Sequence, residues 1–259
     1  SKEIGLLMAR GQKEEAEKRK QELAGLKEEA NLSRQQLMAL EERFQAEILQ
    51  LPNLPHATVP KGKSAEDNDV ILQGGVIPSL PDTAKPHWEL IKDFDLVDFE
   101  TGAKITGSGF PVYKGKGAKL QRALIQYFLD YNTQAGYTEY MPPLFVNEAS
   151  AYGTGQLPDK EGQMYHVTAD NFYLIPTSEV PVTNIYRNSM IPEGDLPVKM
   201  TAYTPCFRRE AGSFGSDVRG LNRLHQFDKV EIVQLVKPQR SYEVHEEMVN
   251  HVERLLQFL

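Results

Sequence analysis

An α+β domain preceded by a long, separate helix is the architecture this sequence predicts, on three observations. Residues 12 to 51 are dominated by Glu, Lys, Gln, Leu and Ala, with no proline and with Gly25 as the sole interior glycine, which is the composition of a long helix. Pro52, Pro55, Pro60 and Gly62 then halt that pattern. Beyond them, short β-rich runs alternate with segments of helical period, as in one mixed domain. The 259 residues suffice for a sizeable core and exclude a disulfide-stapled mini-fold.

Taken in order, the first helix carries an apolar residue at every seventh position: Ala9, Ala16, Leu23, Ala30, Leu37, Phe44 and Leu51. The companion positions Arg19, Leu26, Ser33, Leu40 and Glu47 are apolar only at Leu26 and Leu40, and so thin a seam needs a partner helix. Residues 1 to 10, followed by Gly11, offer less than one, so an antiparallel partner is expected upstream of Ser1. Residues 1–51 are thus read as a partial coiled-coil arm, 52–69 as an extended linker and 70–259 as the α+β domain. Within that domain Leu120, Leu124, Phe128 and Tyr131 recur at helical spacing, Gly136 caps the helix, and Tyr137 to Met141 runs extended into Pro142 and Pro143. Phe172 to Ile175, Val198 to Tyr203 and Val230 to Val236 have the β-branched and aromatic content of strands. Ser241 to Leu259 sets Val244, Met248, Val252, Leu255 and Leu259 on one helical face and ends without a cap, so the domain is expected to continue past Leu259.

Charge and cysteine content narrow the functions. Lys and Arg number 29 against 36 Asp and Glu, a net charge of -7, which argues against a protein that coats DNA by bulk charge and confines any nucleic-acid contact to local patches. One cysteine, Cys206, rules out an internal disulfide and a multi-cysteine zinc site and fits a reducing cytosol. No apolar run approaches the ~18 residues of a membrane span, and no signal peptide is expected.

Three tempting motifs fail. Tyr113-Lys114-Gly115-Lys116-Gly117 approaches a phosphate loop, but Phe110 stands where its first glycine belongs and Gly117 where Ser or Thr would bind magnesium, so it reads as a lysine-rich turn. His245-Glu246-Glu247-Met248 begins like a zinc-protease signature, yet the next histidine is His251, off the one-turn spacing, and both are expected on the helix surface. Gly153-Thr154-Gly155 reads as a loop.

The informative stretch runs from Thr204-Pro205-Cys206-Phe207-Arg208-Arg209-Glu210, through a glycine-rich segment containing Gly212, Ser213, Ser216, Arg219 and Gly220, to His225-Gln226-Phe227-Asp228-Lys229-Val230-Glu231. It reads as an antiparallel hairpin with a long tip. In a strand, Arg208 and Glu210 share a face, as do Phe227 and Glu231. An arginine fork suits phosphate or carboxylate, a carboxylate accepts from an amine, and an aromatic ring stacks a base. On pattern alone two readings stay open: converging ligand groups, or a surface ion pair beside an ordinary core phenylalanine.

Phe207-Arg208-Arg209-Glu210 with its loop and His225-Gln226-Phe227 resembles motif 2 of the class II aminoacyl-tRNA synthetases, in the form found in the seryl-tRNA synthetases. Gly115 to Pro143 is similar to motif 1, and Leu51 to His56, Tyr152 to Pro158 and Pro176-Thr177-Ser178-Glu179-Val180-Pro181 resemble segments of the same family. The resemblance covers essentially the whole chain. It implies an antiparallel class II sheet with flanking helices behind a tRNA-binding arm, in a cytoplasmic homodimer. It also implies ATP-dependent activation of L-serine to seryl-adenylate and transfer to tRNA(Ser), and to tRNA(Sec) where that is present. No membrane or DNA partner is implied.

By the same resemblance Arg208 is the catalytic residue, clamping the ATP α-phosphate and the serine carboxylate. Arg208, Arg209, Glu210, Leu224 and Phe227 form the ATP site, and Thr177, Ser178, Glu179 and Glu231 the serine site. Gly212, Ser213 and Arg219 meet the tRNA acceptor end. Mg2+ accompanies ATP, with no metal ligands inside this stretch; these and motif 3 are expected after Leu259. Ser216 departs from the arginine common in the family, which puts the loop's acceptor contacts in question. The rivals are a non-catalytic tRNA-binding relative and a ligase that charges a carrier protein.

Overall fold

The computed structural model describes residues 2–210 and 219–259, and the chain divides into two compact units, Ser1–Gly75 and Val76–Leu259. In the first, helix α1 (Lys2–Ala9) ends at Gly11, whose φ of 75° only glycine adopts without strain, and α2 (Lys13–Ile48) follows as one 36-residue helix. Glu14 and Glu15 in its first turn complement the helix dipole. The packing of α1 buries Ala16, while Leu23, Leu26, Leu37, Leu40 and Phe44 remain exposed along the thin seam. The stretch 49–75 holds a single 3-10 turn at Ala65–Asp67 among its otherwise irregular residues.

The second unit opens with α3 (His87–Asp93), β1 (Val97–Asp98), α4 (Phe99–Ile105) and β2 (Val112–Tyr113), with α4 capped by the Asp98 carboxylate, which accepts from the Thr101 N–H at 2.8 Å. Next come α5 (Gly115–Gln134), β3 (Thr138–Tyr140), β4 (Phe145–Asn147), α6 (Glu148–Gly153), β5 (His166–Val167), β6 (Phe172–Leu174) and α7 (Glu179–Asn184). The unit closes with β7 (Val198–Phe207), β8 (Gln226–Leu235) and α8 (Ser241–Gln257). The strands form sheets in the orders β1-β2, β3-β7-β8 and β4-β6-β5. Every ladder is antiparallel except β3–β7, which is parallel.

The ribbon β7–β8 organises the unit. Its register pairs Met200 with Val233, Ala202 with Glu231, Thr204 with Lys229 and Cys206 with Phe227, so these side chains share one face. At one end of that face Val182, Met200 and Ala202 form a buried cluster with Val233 and Leu235 packed against it. The other face lies on α5. There the Gln121 amide donates to Asp228 Oδ2 (2.8 Å), the Tyr203 hydroxyl to Asp228 Oδ1 (2.7 Å), and the Asn132 amide to Thr201 Oγ1 (2.9 Å). Both strands run longer than the β-rich segments of the sequence, with Pro205 and Asp228 standing opposite each other inside the ladder. Pairing overrides their poor strand propensity.

Two surface expectations are corrected. His251 packs between Tyr131 and Tyr137, with ring centroids at 4.9 and 5.4 Å, and its Nε2 bonds Asn132 Oδ1 at 2.8 Å, because α8 turns this residue onto α5. Only His245 is left outward, with a side chain 70% exposed. The lysine-rich turn is the start of a helix instead: Lys114 stands at the N-cap of α5, pairing with Asp95 at 2.6 Å, and Gly115, Lys116 and Gly117 form its first turn.

Burial, aided by Arg254 and Lys199, holds the His251 pKa below its ordinary 6.5. The unfolded chain therefore protonates first, so the native state keeps its full margin above about pH 6.5 and loses some as pH falls toward the depressed native value. In urea titrations His251→Gln should show a smaller drop in midpoint between about pH 7 and pH 5.5 than the parent. An identical drop would assign the acid sensitivity to carboxylates instead.

Candidate active site

The site forms where the end of β6 crosses the end of the ribbon. The Ile175 N–H donates to Leu144 O (3.0 Å) and the Phe207 N–H to Ile175 O (2.9 Å), so Pro176, Thr177 and Ser178 are laid across the tip of β7. Ile175, fully buried with Val146, Ala151, Leu157, Met164 and Val180, anchors this crossing. Full burial of an isoleucine is worth roughly 1.5–3 kcal/mol.

Above the ribbon lies a cavity of about 520 Å³ lined mainly by polar groups, among them Thr177, Glu179, Arg208, Glu210, Arg223 and Lys229. Thr177 is buried, and its hydroxyl donates to Glu231 Oε2 at 2.8 Å. Lys229 Nζ lies 2.6 Å from the same Oε2 and 2.9 Å from Thr177 Oγ1, closing a triangle of hydroxyl, carboxylate and ammonium. Arg208 donates through Nε to Pro176 O (3.3 Å), and its guanidinium stands over the Phe227 ring, 5.1 Å from the centroid. Beneath, Thr204 and Cys206 are buried, and burial pushes the Cys206 thiol pKa up.

Arg208 and Glu210 do not share a strand face, because β7 ends at Phe207. Main-chain bonds replace the ladder: Arg208 N–H donates to His225 O (3.0 Å) and Arg209 N–H to Gln163 O (2.9 Å), after which Glu210 turns at φ 48°. That turn brings the Glu210 carboxylate to Arg223 at 3.5 Å and onto a second cavity of about 340 Å³ shared with Leu224, His225 and Gly109. Gly109 is required there: a Cβ on it would stand 2.4 Å from the His225 ring, and its φ is 83°.

Of the residues singled out in the sequence, Arg208, Thr177, Glu179 and Glu210 line the main cavity, Phe227 and Glu231 stand on its floor face, and Leu224 lines the second. The Ser178 hydroxyl instead bonds Thr204 Oγ1 at 2.6 Å in the buried floor, so its side chain does not reach the cavity. Arg209 and Arg219 are exposed. Gly212, Ser213 and Ser216 lie outside the described residues. Sequence reasoning missed Lys229 and Arg223. The period of two that joined Phe227 to Glu231 also carries Lys229, so that signal was present; Arg223 sits in a loop and had none.

The family model "tRNA synthetase class II core domain (G, H, P, S and T)" matches residues 165–259. A serine–tRNA ligase of Salinibacter ruber is 51% identical over 259 residues, covering 100% of this chain and 60% of that protein. One of Trichlorobacter lovleyi is 50% identical over 217 residues, 83% of this chain and 51% of its own length. The crystal structure of seryl-tRNA synthetase from Pyrococcus horikoshii complexed with ATP superposes with a TM-score of 0.80 at 29% identity, covering 98% of this chain and 61% of that one. The cytoplasmic serine–tRNA ligase of Naegleria fowleri in complex with AMP gives 0.78 at 26%, over 87% and 54%. Fold and core domain are those of a class II aminoacyl-tRNA synthetase. Within that class the relatives it matches are serine–tRNA ligases, and the chain spans 60% of the length of the first of them.

The Arg223–Glu210 pair is more than half exposed on its arginine side. Arg223→Ala should therefore change unfolding free energy by less than about 1 kcal/mol. If Arg223 serves the cavity, the same variant should weaken ATP binding several-fold in calorimetric titration; unchanged binding would leave it a surface partner of Glu210.

Proposed function

We propose that this chain carries the amino-acid-activating core and part of the tRNA arm of a cytoplasmic serine–tRNA ligase that makes seryl-adenylate from L-serine and ATP and passes the seryl group to tRNA(Ser), and to tRNA(Sec) where present. The observation that carries the reading is the joining, in one cavity, of the Thr177–Lys229–Glu231 triangle to the Arg208–Phe227 pair. A zwitterionic amino acid with a hydroxyl needs carboxylates for its ammonium, a guanidinium for its carboxylate, and both donor and acceptor for its hydroxyl. All are present.

Glu179 and Glu231 would draw the serine ammonium, with Thr177 fixing Glu231. Arg208 would bridge the serine carboxylate and the α-phosphate, holding nucleophile and phosphorus in line and offsetting the charge that develops as pyrophosphate leaves. Phe227 would stack the adenine and Glu210 accept from its amino group. Among the described residues no group of three or more His, Cys, Asp or Glu is placed to hold a metal. Mg2+ would accompany ATP, with its protein ligands expected outside this stretch. Exposed Leu120, Met141 and Phe145, in and after α5, suit coverage by a second copy of the chain in a homodimer.

Arg208→Ala in the intact protein should cost on the order of 3 kcal/mol of transition-state stabilisation in serine-dependent pyrophosphate exchange. Near-normal exchange would demote Arg208 to a structural partner of Pro176 and Phe227. The arm gives a second test. Lys13, Lys18, Lys20, Lys27 and Arg34 are exposed on α2, where they can meet phosphate and ribose despite the acidic total charge. Deleting the arm should leave adenylate formation nearly intact and collapse tRNA charging, with the residual charging less salt-sensitive. Unchanged charging would sink the assignment of the arm.

A further inference from the structure

We propose that Lys229 reads the oxygen of the substrate's side-chain hydroxyl and so determines the choice of a hydroxy amino acid over its deoxy and thiol counterparts. The inference rests on the serine-activating reading above and adds a specificity residue to it.

Lys229 and Glu231 are two apart on β8 and share the cavity face with Phe227. Their side chains are 35% and 20% exposed, so both are largely withdrawn from water; Lys229 lines the cavity and Glu231 stands beside it on the same strand face. Oε2 of Glu231 is already taken twice, by the Thr177 hydroxyl at 2.8 Å and by Lys229 Nζ at 2.6 Å. Nζ also lies 2.9 Å from Thr177 Oγ1. An ammonium has three protons, so among the described residues two are committed and one remains. Oε1 of Glu231 likewise remains for a ligand.

One acceptor and one donor, held side by side by a shared triangle, match a hydroxyl, which gives one proton and takes one. Glu231 Oε1 would accept the hydroxyl proton while the third Lys229 proton is donated to the hydroxyl oxygen. A substrate ammonium can pair with Glu231 and with Glu179, exposed on the same cavity, but it satisfies only the acceptor half of this arrangement and leaves the third Lys229 proton for the hydroxyl oxygen. A methyl side chain in place of the hydroxymethyl leaves both groups unpaired in a half-buried site, and a thiol is a weak acceptor for the lysine. Lys229 is therefore more than the counter-charge of Glu231.

The two roles separate experimentally. Seryl-, alanyl- and cysteinyl-sulfamoyl adenosine, non-hydrolysable stand-ins for the adenylates, would be titrated against the intact protein and its Lys229→Met variant, with Lys229→Gln as a second variant if the first does not fold. The expected result is that the variant loses about tenfold or more of its preference for the seryl over the alanyl compound, through weaker seryl binding at nearly constant alanyl binding. Preference over the cysteinyl compound should narrow likewise. If affinities for all three move together, Lys229 only balances Glu231 and the proposal is overturned. If the parent itself shows no preference for the seryl compound, the serine-activating reading fails first, and this inference with it.

Discussion

The register of the β7–β8 ladder is the constraint on which the site depends. Alternation places Phe227, Lys229 and Glu231 over Cys206, Thr204 and Ala202 on the cavity face, while Asp228 and Tyr203 face α5. A slip of one residue would exchange the faces and put Asp228 in the cavity. Three side-chain bonds from α5 and within the ribbon oppose that slip: Gln121 to Asp228, Tyr203 to Asp228, and Asn132 to Thr201. Burial, reinforced by Asp228, pushes the Tyr203 hydroxyl pKa far up, so it stays a donor at neutral pH. Asn132 and Thr201 are buried, and Thr201 passes the bond on to the Glu231 carbonyl at 2.8 Å. The residue that anchors the triangle is thus fixed from below as well as by Thr177.

The charges in the cavity follow from this scaffold. Arg208, Arg223 and Lys229 face Glu161, Glu179 and Glu210 across the lining, with Glu231 on its floor face. Mixed signs in one half-closed space are costly to hold unless each group has a partner. Glu231 has Thr177 and Lys229, Glu210 has Arg223, and Arg208 has Pro176 and the face of Phe227. Among the described residues no buried side-chain nitrogen or oxygen is left without a hydrogen bond. A ligand bearing both an ammonium and acidic oxygens could exchange these internal contacts for its own, so internal neutralisation does not close the site to such a ligand.

Much of this was legible in the sequence, for identifiable reasons. The long helix and its proline-marked end were visible because composition and a seven-residue period are local properties, and α2 ends at Ile48 just before Pro52. Phe227 and Glu231 were placed on one face by strand alternation, which β8 obeys. The same alternation contains Lys229, passed over because a lysine between two chosen residues reads as a solvated charge until its partners are known. Arg208 and Glu210 were brought together for the wrong local reason. Strand geometry was assumed, whereas the chain leaves the ladder at Phe207 and is set by long-range main-chain bonds and a left-handed Glu210. His251 was assigned to the surface because helical period alone does not reveal that α8 turns it between Tyr131 and Tyr137.

Those main-chain bonds explain how three distant chain segments make one site. Gln163 O accepts from Arg209 N–H, Ile175 O from Phe207 N–H, and Gly109 O from His225 N–H. Each joins a loop to one end of the ribbon through groups that every residue except proline carries, so the segments are held by backbone and only decorated by side chains. Distances of a few ångströms between Thr177, Lys229 and Glu231 are therefore set by where the β6 end crosses β7 rather than by the flexible side chains themselves. A shift of about 1 Å at that crossing is enough to spoil an aligned reaction geometry. The buried packing of Ile175, Val180 and Met164 under the crossing, remote from any reacting atom, is in this sense part of the site.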